Sequence, residues 1–149
     1  MDLKKIFNLV LSDFVKNKEP RNIRLGRFED NVCVIDRGYR MFLIDEKNFP
    51  FKIDICGPLV RMDNLVPDVS TYDFAEYTGD QKQLSDGKMV AIIRNETTEV
   101  WVDTDLLKLF GKDLKLKIST KNPQISPVFV YGGETWLGLV LPVRQRRGV

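Results

Sequence analysis

The segment from Glu99 to Val143 limits the possible folds of this chain more than any other, because its strand and helix signals follow one another in a fixed order. Residues Glu99–Asp103 are rich in β-forming side chains. Residues Thr104–Phe110 follow with the leucine spacing of a short helix, and Gly111 is placed to end that helix. The segment is therefore predicted to begin as a strand followed by a helix.

The rest of this segment predicts three more strands. Between residues 114 and 118, leucine and isoleucine alternate with lysine, which is the period of a half-buried strand. The runs 127–131 and 135–143 are apolar and β-rich, and a turn at 132–134 joins them as a hairpin. Together the five elements predict a β-α-β-β-β unit.

The N-terminal residues predict an amphipathic helix. Asp2 is placed to cap it, and the helix is expected to run from Leu3 to about Asn17. Apolar side chains recur at three- and four-residue spacing and predict a broad buried stripe: Leu3, Ile6, Phe7, Val10, Leu11, Phe14 and Val15. The other side carries basic residues that face either solvent or phosphates: Lys4, Lys5 and Lys16.

Antiparallel strands are predicted after this helix. Ile23–Phe28 is a short mixed segment that is typical of an edge strand. Val32–Ile35 and Tyr39–Ile44 flank Asp36-Arg37-Gly38, a hairpin signal in which the glycine can adopt a positive φ. Phe51–Ile55 alternates between apolar and polar residues and predicts a further strand.

The middle of the chain, at about residues 56–87, is predicted to be an irregular insert. A structureless stretch of this length is unusual inside a domain. A short helix around Ser70–Tyr77, an ordinary loop, and an aromatic-bearing loop that meets a partner all remain open. Lys88–Arg94 and Glu99–Asp103 are then predicted to pair as a hairpin.

These elements predict an α+β fold in one domain that spans the chain, with a short basic tail at 144–149. A helix followed by antiparallel strands occurs twice: helix 3–17 with strands in 23–55, and helix 104–110 with strands in 113–143. We expect the two helices to lie side by side on one face of antiparallel sheets. Their exposed sides would then share five basic residues: Lys4, Lys5, Lys16, Lys108 and Lys112.

Composition narrows the functional classes. The 149 residues include 23 lysines and arginines, 21 aspartates and glutamates, and no histidine. Because the commonest general base and metal ligand is missing, we expect no catalytic site, no metal and no cofactor. Cys33 and Cys56 lie in or beside apolar segments and are predicted to be reduced core residues. The chain has neither a membrane-length apolar run nor a secretory signal, so a cytoplasmic protein without membrane contact is expected.

The C-terminal third resembles the last domain of bacterial sliding clamps, the DNA polymerase III β subunits. In that family a polar residue leads into a leucine-rich helix, which here corresponds to Val102–Phe110. A strand follows at Leu114–Ile118, and a Ser-Pro-Val strand start is found at Ser126–Val130. Gly132–Glu134 matches the turn, and Leu139–Arg144 matches the closing strand with its apolar-Pro-apolar-Arg ending.

The resemblance implies a DNA-clamp-like arrangement and a non-catalytic role in DNA replication. Clamps hold duplex DNA independently of its sequence, because basic side chains on their helices contact phosphates. Here those side chains would be Lys4, Lys5, Lys16, Lys108 and Lys112. Clamps also bind peptides of replication proteins in an apolar cleft beside their last strands, here corresponding to Trp136, Leu137, Val140, Leu141, Pro142, Val143 and Arg144.

The chain also departs from the clamp pattern. A bacterial clamp subunit has three such domains and closes a ring, whereas this chain has room for one domain. A homo-oligomer and a lone accessory domain, such as a phage or mobile-element factor, therefore both remain open.

Two other functional classes compete with the clamp interpretation. An enzyme would need converging polar side chains, but the carboxylates are scattered and no nucleophile-elbow or phosphate-loop motif is present. A protein-binding or structural module without DNA binding, for example a phage or mobile-element component, is the main alternative. A basic stripe on the helices would favour DNA, whereas a large apolar patch with mixed charge would favour a protein partner.

Overall fold

The computed structural model describes residues 1–16, 22–53 and 58–145. In chain order its main elements are α1 (Leu3–Lys16), β1 (Ile23–Phe28), β2 (Asn31–Asp36), β3 (Arg40–Asp45), β4 (Tyr72–Gln83), β5 (Met89–Arg94), β6 (Glu99–Asp103), α2 (Thr104–Leu107), β7 (Leu114–Ser119), β8 (Val128–Gly132) and β9 (Thr135–Val140). Short 3-10 turns lie at Glu46–Asn48 and Val69–Thr71.

The described strands form one nine-stranded sheet in the order β1-β2-β3-β9-β8-β7-β4-β5-β6. Neighbouring strands in this order pair antiparallel. The predicted α+β class with antiparallel strands is therefore confirmed, and the predicted hairpins β2–β3, β5–β6 and β8–β9 are confirmed with it.

A helix followed by a three-stranded meander occurs twice in the described chain. The first meander is β1-β2-β3 after α1, and the second is β7-β8-β9 after α2. The two meet where β3 pairs antiparallel with β9, with Phe42 opposite Gly138. Glycine is required there because a Cβ on Gly138 would lie 1.9 Å from the backbone oxygen of Met41.

The second helix is much shorter than predicted. The expected helix at 104–110 covers only Thr104–Leu107, and α1 is the one main helix of the described residues. Asp103 caps α2 by accepting a hydrogen bond from the amide of Asp105. After Leu107 the chain turns tightly and brings the ring of Phe110 to 4.7 Å from that of Phe42, so packing replaces the last helical turn.

The prediction of an irregular insert at 56–87 is partly wrong. Its second half contains β4, a twelve-residue strand, and the helix expected around Ser70–Tyr77 does not form. The first half of β4 pairs with β7, whereas its second half pairs with β5. Most of its side chains are exposed, so the strand depends on backbone pairing and has no buried stripe.

The prediction of a strand at Phe51–Ile55 is also wrong for the part of this segment that the structure describes. Residues 51–53 are not in a strand, and residues 54–55 and Cys56 lie outside the described residues. The ring of Phe51 instead packs edge-on against Phe7 of α1, with centroids 6.3 Å apart. The predicted end of α1 at Asn17 also lies outside the described residues.

Buried side chains form two clusters, one on each side of β3, β8 and β9. The main core gathers Ile6 and Val10 of α1, Leu107 and Phe110 near α2, and inward-facing residues of both meanders. The second cluster contains Cys33, Met41, Leu43, Met62, Tyr72, Phe129 and Leu139. Cys33 is fully buried and free, as predicted.

Both ends of the sheet are partly covered. At the β6 end, the amide of Val143 donates to the carbonyl of Trp101 at 2.7 Å, so the chain after β9 pairs with the edge of β6. At the β1 end, the amide of Val60 donates to the carbonyl of Leu25 at 2.8 Å. Covered edges reduce the unpaired backbone that could recruit another chain.

Candidate functional site

Four of the five predicted DNA-contacting lysines lie at one end of α1. The backbone amide of Asp2 donates to the carbonyl of Leu109 at 2.8 Å, and this bond joins the start of α1 to the turn after α2. The lysines that this junction brings into one region are exposed: Lys4, Lys5, Lys108 and Lys112. We call this group the lysine end.

The fifth lysine, Lys16, is also exposed but lies at the other end of α1. Twelve residues of helix separate it from Lys4, which corresponds to about 18 Å along the axis. The structure therefore gathers four of the five candidates and leaves Lys16 apart from them.

Two of the lysines in this group have carboxylate partners. The ammonium of Lys5 lies 3.8 Å from the carboxylate of Asp2, and the ammonium of Lys108 lies 2.7 Å from that of Asp105. The hydrogen bond between Lys108 and Asp105 raises the pKa of the lysine and lowers the pKa of the aspartate. Exposed pairs of this kind contribute little to stability, so the lysines can exchange a carboxylate for a phosphate.

The exposed side of α1 is not uniformly polar. Leu11 is 51% exposed and Val15 is 78% exposed, although the sequence predicted both in the buried stripe. Ile6 and Val10 are fully buried, so the buried stripe is narrower than predicted. The helix therefore presents lysines and a pair of apolar side chains to solvent together.

The predicted peptide-cleft residues do not form one cleft. Val140 and Leu141 line an apolar groove of about 270 Å³, together with residues of the β2–β3 hairpin, of the loop that contains Met62, of the segment just before β8 and of β9: Ile35, Tyr39, Arg40, Met41, Met62, Leu65, Pro127 and Leu139. This groove lies at the junction of the two meanders. Its lining is mostly apolar.

The remaining cleft candidates lie elsewhere. Trp136 packs in the second cluster, where its ring stacks on Phe129 at 5.3 Å. A bulge in β9 turns Leu137 towards the main core. Val143 pairs with β6, and next to it Pro142 is partly buried and Arg144 is exposed. Of the predicted tail, residues 146–149 lie outside the described residues.

Sequence reasoning missed a set of aromatic and basic side chains on the sheet face opposite α1. Lys117 on β7 lies opposite Phe74 of β4 on one side and opposite Phe129 of β8 on the other. Its ammonium is 4.6 Å from the ring centroid of Phe74 and 5.2 Å from that of Tyr131. The alternating lysines of β7 were visible in the sequence, but their aromatic neighbours depend on β4, which the sequence did not reveal.

Within the described ranges 1–16, 22–53 and 58–145, no three or more cysteine, aspartate or glutamate side chains form a group that could hold a metal ion. None of the helices in these ranges is long and apolar enough to cross a bilayer.

The described chain is thus an α+β fold with a nine-stranded antiparallel sheet and one main helix. No protein-family model, no curated protein and no solved structure matches it at a significant level.

Proposed function

We propose that this protein is a non-catalytic, clamp-related accessory protein that contacts the DNA backbone in the cytoplasm. The observation that carries the proposal is the hydrogen bond from Asp2 to Leu109, because it gathers Lys4, Lys5, Lys108 and Lys112 at the lysine end. Exposed ammonium groups of this kind contact phosphates without reading bases. Binding is therefore expected to be independent of sequence and sensitive to salt.

The arrangement of the two meanders supports the clamp-like part of the proposal. The resemblance implies two halves, each a helix followed by antiparallel strands, and such an order occurs twice here. Both helices contribute to the same core, α1 through Ile6 and Val10 and α2 through Leu107. In the proposed arrangement the groove beside Val140 and Leu141 receives an apolar peptide of a replication protein.

Fluorescence anisotropy with a labelled duplex of about 24 base pairs tests DNA binding. The wild type should bind two unrelated sequences equally and weaken steeply between about 50 and about 200 mM salt. The triple variant Lys4→Gln, Lys5→Gln and Lys112→Gln removes three cations of the lysine end. It should lower the slope of log affinity against log salt by about 3, since each phosphate contact contributes about 0.9.

A control triple removes three exposed lysines that are not part of the lysine end: Lys47, Lys82 and Lys121, each changed to Gln. It matches the loss of net charge but should retain most of the binding and the salt slope. Absence of duplex binding by the wild type at about 50 mM salt would refute the proposal. Equal losses in both triples would also refute it, because they would show that net charge alone is responsible.

A protein-binding module without DNA binding is the second candidate, and the exposed apolar pair on α1 favours it. Leu11 and Val15 are 51% and 78% exposed beside lysines, the mixed apolar and charged surface that suits a protein partner. Light scattering coupled to gel filtration tests the simplest partner, a second copy. A dimer or larger oligomer that Leu11→Gln with Val15→Gln converts to a monomer would support this candidate, and a wild-type monomer would exclude self-association through α1.

A further inference from the structure

Two rows of side chains cross the sheet face that points away from α1. The first row runs Phe74, Lys117, Phe129 and Leu139 across β4, β7, β8 and β9. The second runs Lys115, Tyr131 and Trp136 across β7, β8 and β9. Directly opposed residues of an antiparallel pair project on the same side of the sheet. These rows therefore form one surface, which we call the aromatic face.

The aromatic face is partly open to solvent. Phe74 is 60% exposed, Lys115 is exposed, and Lys117, Tyr131 and Trp136 are half-buried. Phe129 is buried beneath them and stacks on Trp136 with an interplanar angle of 16°. Tyr131 connects this pair to Phe74, since its ring centroid lies 6.4 Å from those of both Phe129 and Phe74. Because the rings already pack on one another, little conformational entropy is lost when a flat ligand stacks on them.

The lysines of the aromatic face lie close to its rings. The ammonium of Lys117 lies between Phe74 and Tyr131, whose centroids are 6.4 Å apart. The two rows contain two cations and no carboxylate. At the β4 border of the face, a groove of about 860 Å³ opens where β4 leaves β7, and Glu76 and Arg94 are among its charged residues. The rows therefore suit a ligand that is both aromatic and anionic.

We propose that the aromatic face binds single-stranded nucleic acid, with bases stacked on Phe74 and Tyr131 and phosphates beside Lys115 and Lys117. Unpaired bases can stack on exposed rings, and each stacked base contributes about 5- to 150-fold in affinity. A duplex keeps its bases stacked on one another and can offer this face only its phosphates. The proposed site does not depend on the lysine end, which lies at α1 on the other side of the sheet.

The test uses the full chain and two labelled probes of about 12 nucleotides, oligothymidylate and an abasic oligonucleotide with the same phosphates. Anisotropy at about 50 mM salt should show that the wild type binds the thymidylate at least about tenfold more tightly than the abasic probe, the ratio that one stacked base provides. Phe74→Ala should lower that ratio severalfold, and adding Tyr131→Ala should bring it to near 1, because both stacking rings are then removed. Lys117→Gln should weaken the binding of both probes and leave the ratio above that of Phe74→Ala.

Ile125→Ala is the control, because it removes another exposed apolar side chain, from the segment between β7 and β8 and outside the rows of the aromatic face. It should keep the wild-type ratio, and circular dichroism should show that all variants are folded. Equal affinity of the wild type for both probes, or equal ratios in Phe74→Ala and Ile125→Ala, would overturn the proposal. If the wild type did not bind duplex DNA in the lysine-end experiment, the thymidylate-to-abasic affinity ratio would be unaffected. The failures of the two proposals can therefore be told apart.

Discussion

The junction between β3 and β9 should be sensitive to substitution, because the two meanders meet there over few residues. The described pairing covers Arg40–Phe42 of β3 and Gly138–Val140 of β9. A Cβ built on Gly138 lies 1.9 Å from the carbonyl oxygen of Met41 and 2.9 Å from the ring of Phe110. The first neighbour is backbone, so the strands themselves must move to make room.

The cost of Gly138→Ala follows from this geometry. The contact must lengthen from 1.9 Å to at least 3.0 Å, which displaces one strand of a three-residue pairing. Overpacking a tight site costs about 1–3 kcal/mol, and each hydrogen bond weakened by the displacement adds about 1 kcal/mol. We therefore expect Gly138→Ala to lower the free energy of unfolding by about 3 kcal/mol or more.

Urea unfolding monitored by tryptophan fluorescence measures this change, and Gly132→Ala is the matched control. The nearest neighbours of a Cβ on Gly132 would be side-chain atoms of Leu137, with Cδ1 at 3.0 Å, and a flexible side chain can move away. The control should cost less than about 1 kcal/mol. A Gly138→Ala variant within about 0.5 kcal/mol of the wild type would refute the predicted β3–β9 contact and the arrangement of the two halves that depends on it.

Three further predictions concern buried polar groups. Burial raises the pKa of Cys33 from 9.0 to about 12. The stability that is present below about pH 9 should therefore fall by up to about 1.4 kcal/mol per pH unit as the pH rises towards 12. Urea unfolding at several pH values should show a shallower loss in Cys33→Ala, and a pH dependence equal to that of the wild type would contradict the assignment. Arg40→Met removes the 2.9 Å partner of the buried Asp36 carboxylate, which then keeps its ion pair with the more exposed Arg37 at 3.2 Å; the variant should cost up to about 3 kcal/mol in thermal unfolding, and adding Asp36→Leu should recover most of that loss. Asp13→Ala removes the acceptor of two backbone amides near the start of β1, each at 3.1 Å, and should cost about 2 kcal/mol, with faster hydrogen exchange of those amides as the specific readout.

Local signals were sufficient for most strands of the described chain. Hairpins with short turns, such as β2–β3 and β8–β9, are encoded by neighbouring residues, and the alternation in β7 separates Leu116 and Ile118 from Lys115 and Lys117. Burial follows that alternation, because Leu116 and Ile118 are in the main core. The hairpins could be predicted because apolar runs flank short turns, and β7 could be predicted because one of its faces is buried.

The sequence could not reveal β4 for the same physical reason. Tyr72 and Ala75 are its buried residues, and the rest of the strand is exposed, so no alternation marks it. Its existence depends on pairing with β5, which follows after a short connection, and with β7, which is distant in sequence. Contacts across β4, such as Lys117 with Phe74, were therefore beyond sequence reasoning. The predicted length of α2 was wrong for a different reason. Leu106, Leu107 and Phe110 suit either a helix or a turn, and the packing of Phe110 selects the turn.

The two proposed surfaces lie on opposite sides of the sheet, so substitutions on them should act independently. Leu116 and Ile118 of β7 face the core beneath α1, whereas Lys115 and Lys117 of the same strand belong to the aromatic face. A phosphate at Lys4 therefore cannot also lie at Lys117. Substitutions at well-separated sites usually have additive effects. The lysine-end triple and Phe74→Ala should accordingly combine additively in stability, with the first altering duplex binding and the second altering the thymidylate-to-abasic ratio. If Phe74→Ala instead lowered duplex affinity as much as the triple does, a single nucleic-acid site would have to span both sides of the sheet, and the separation into two surfaces would be wrong.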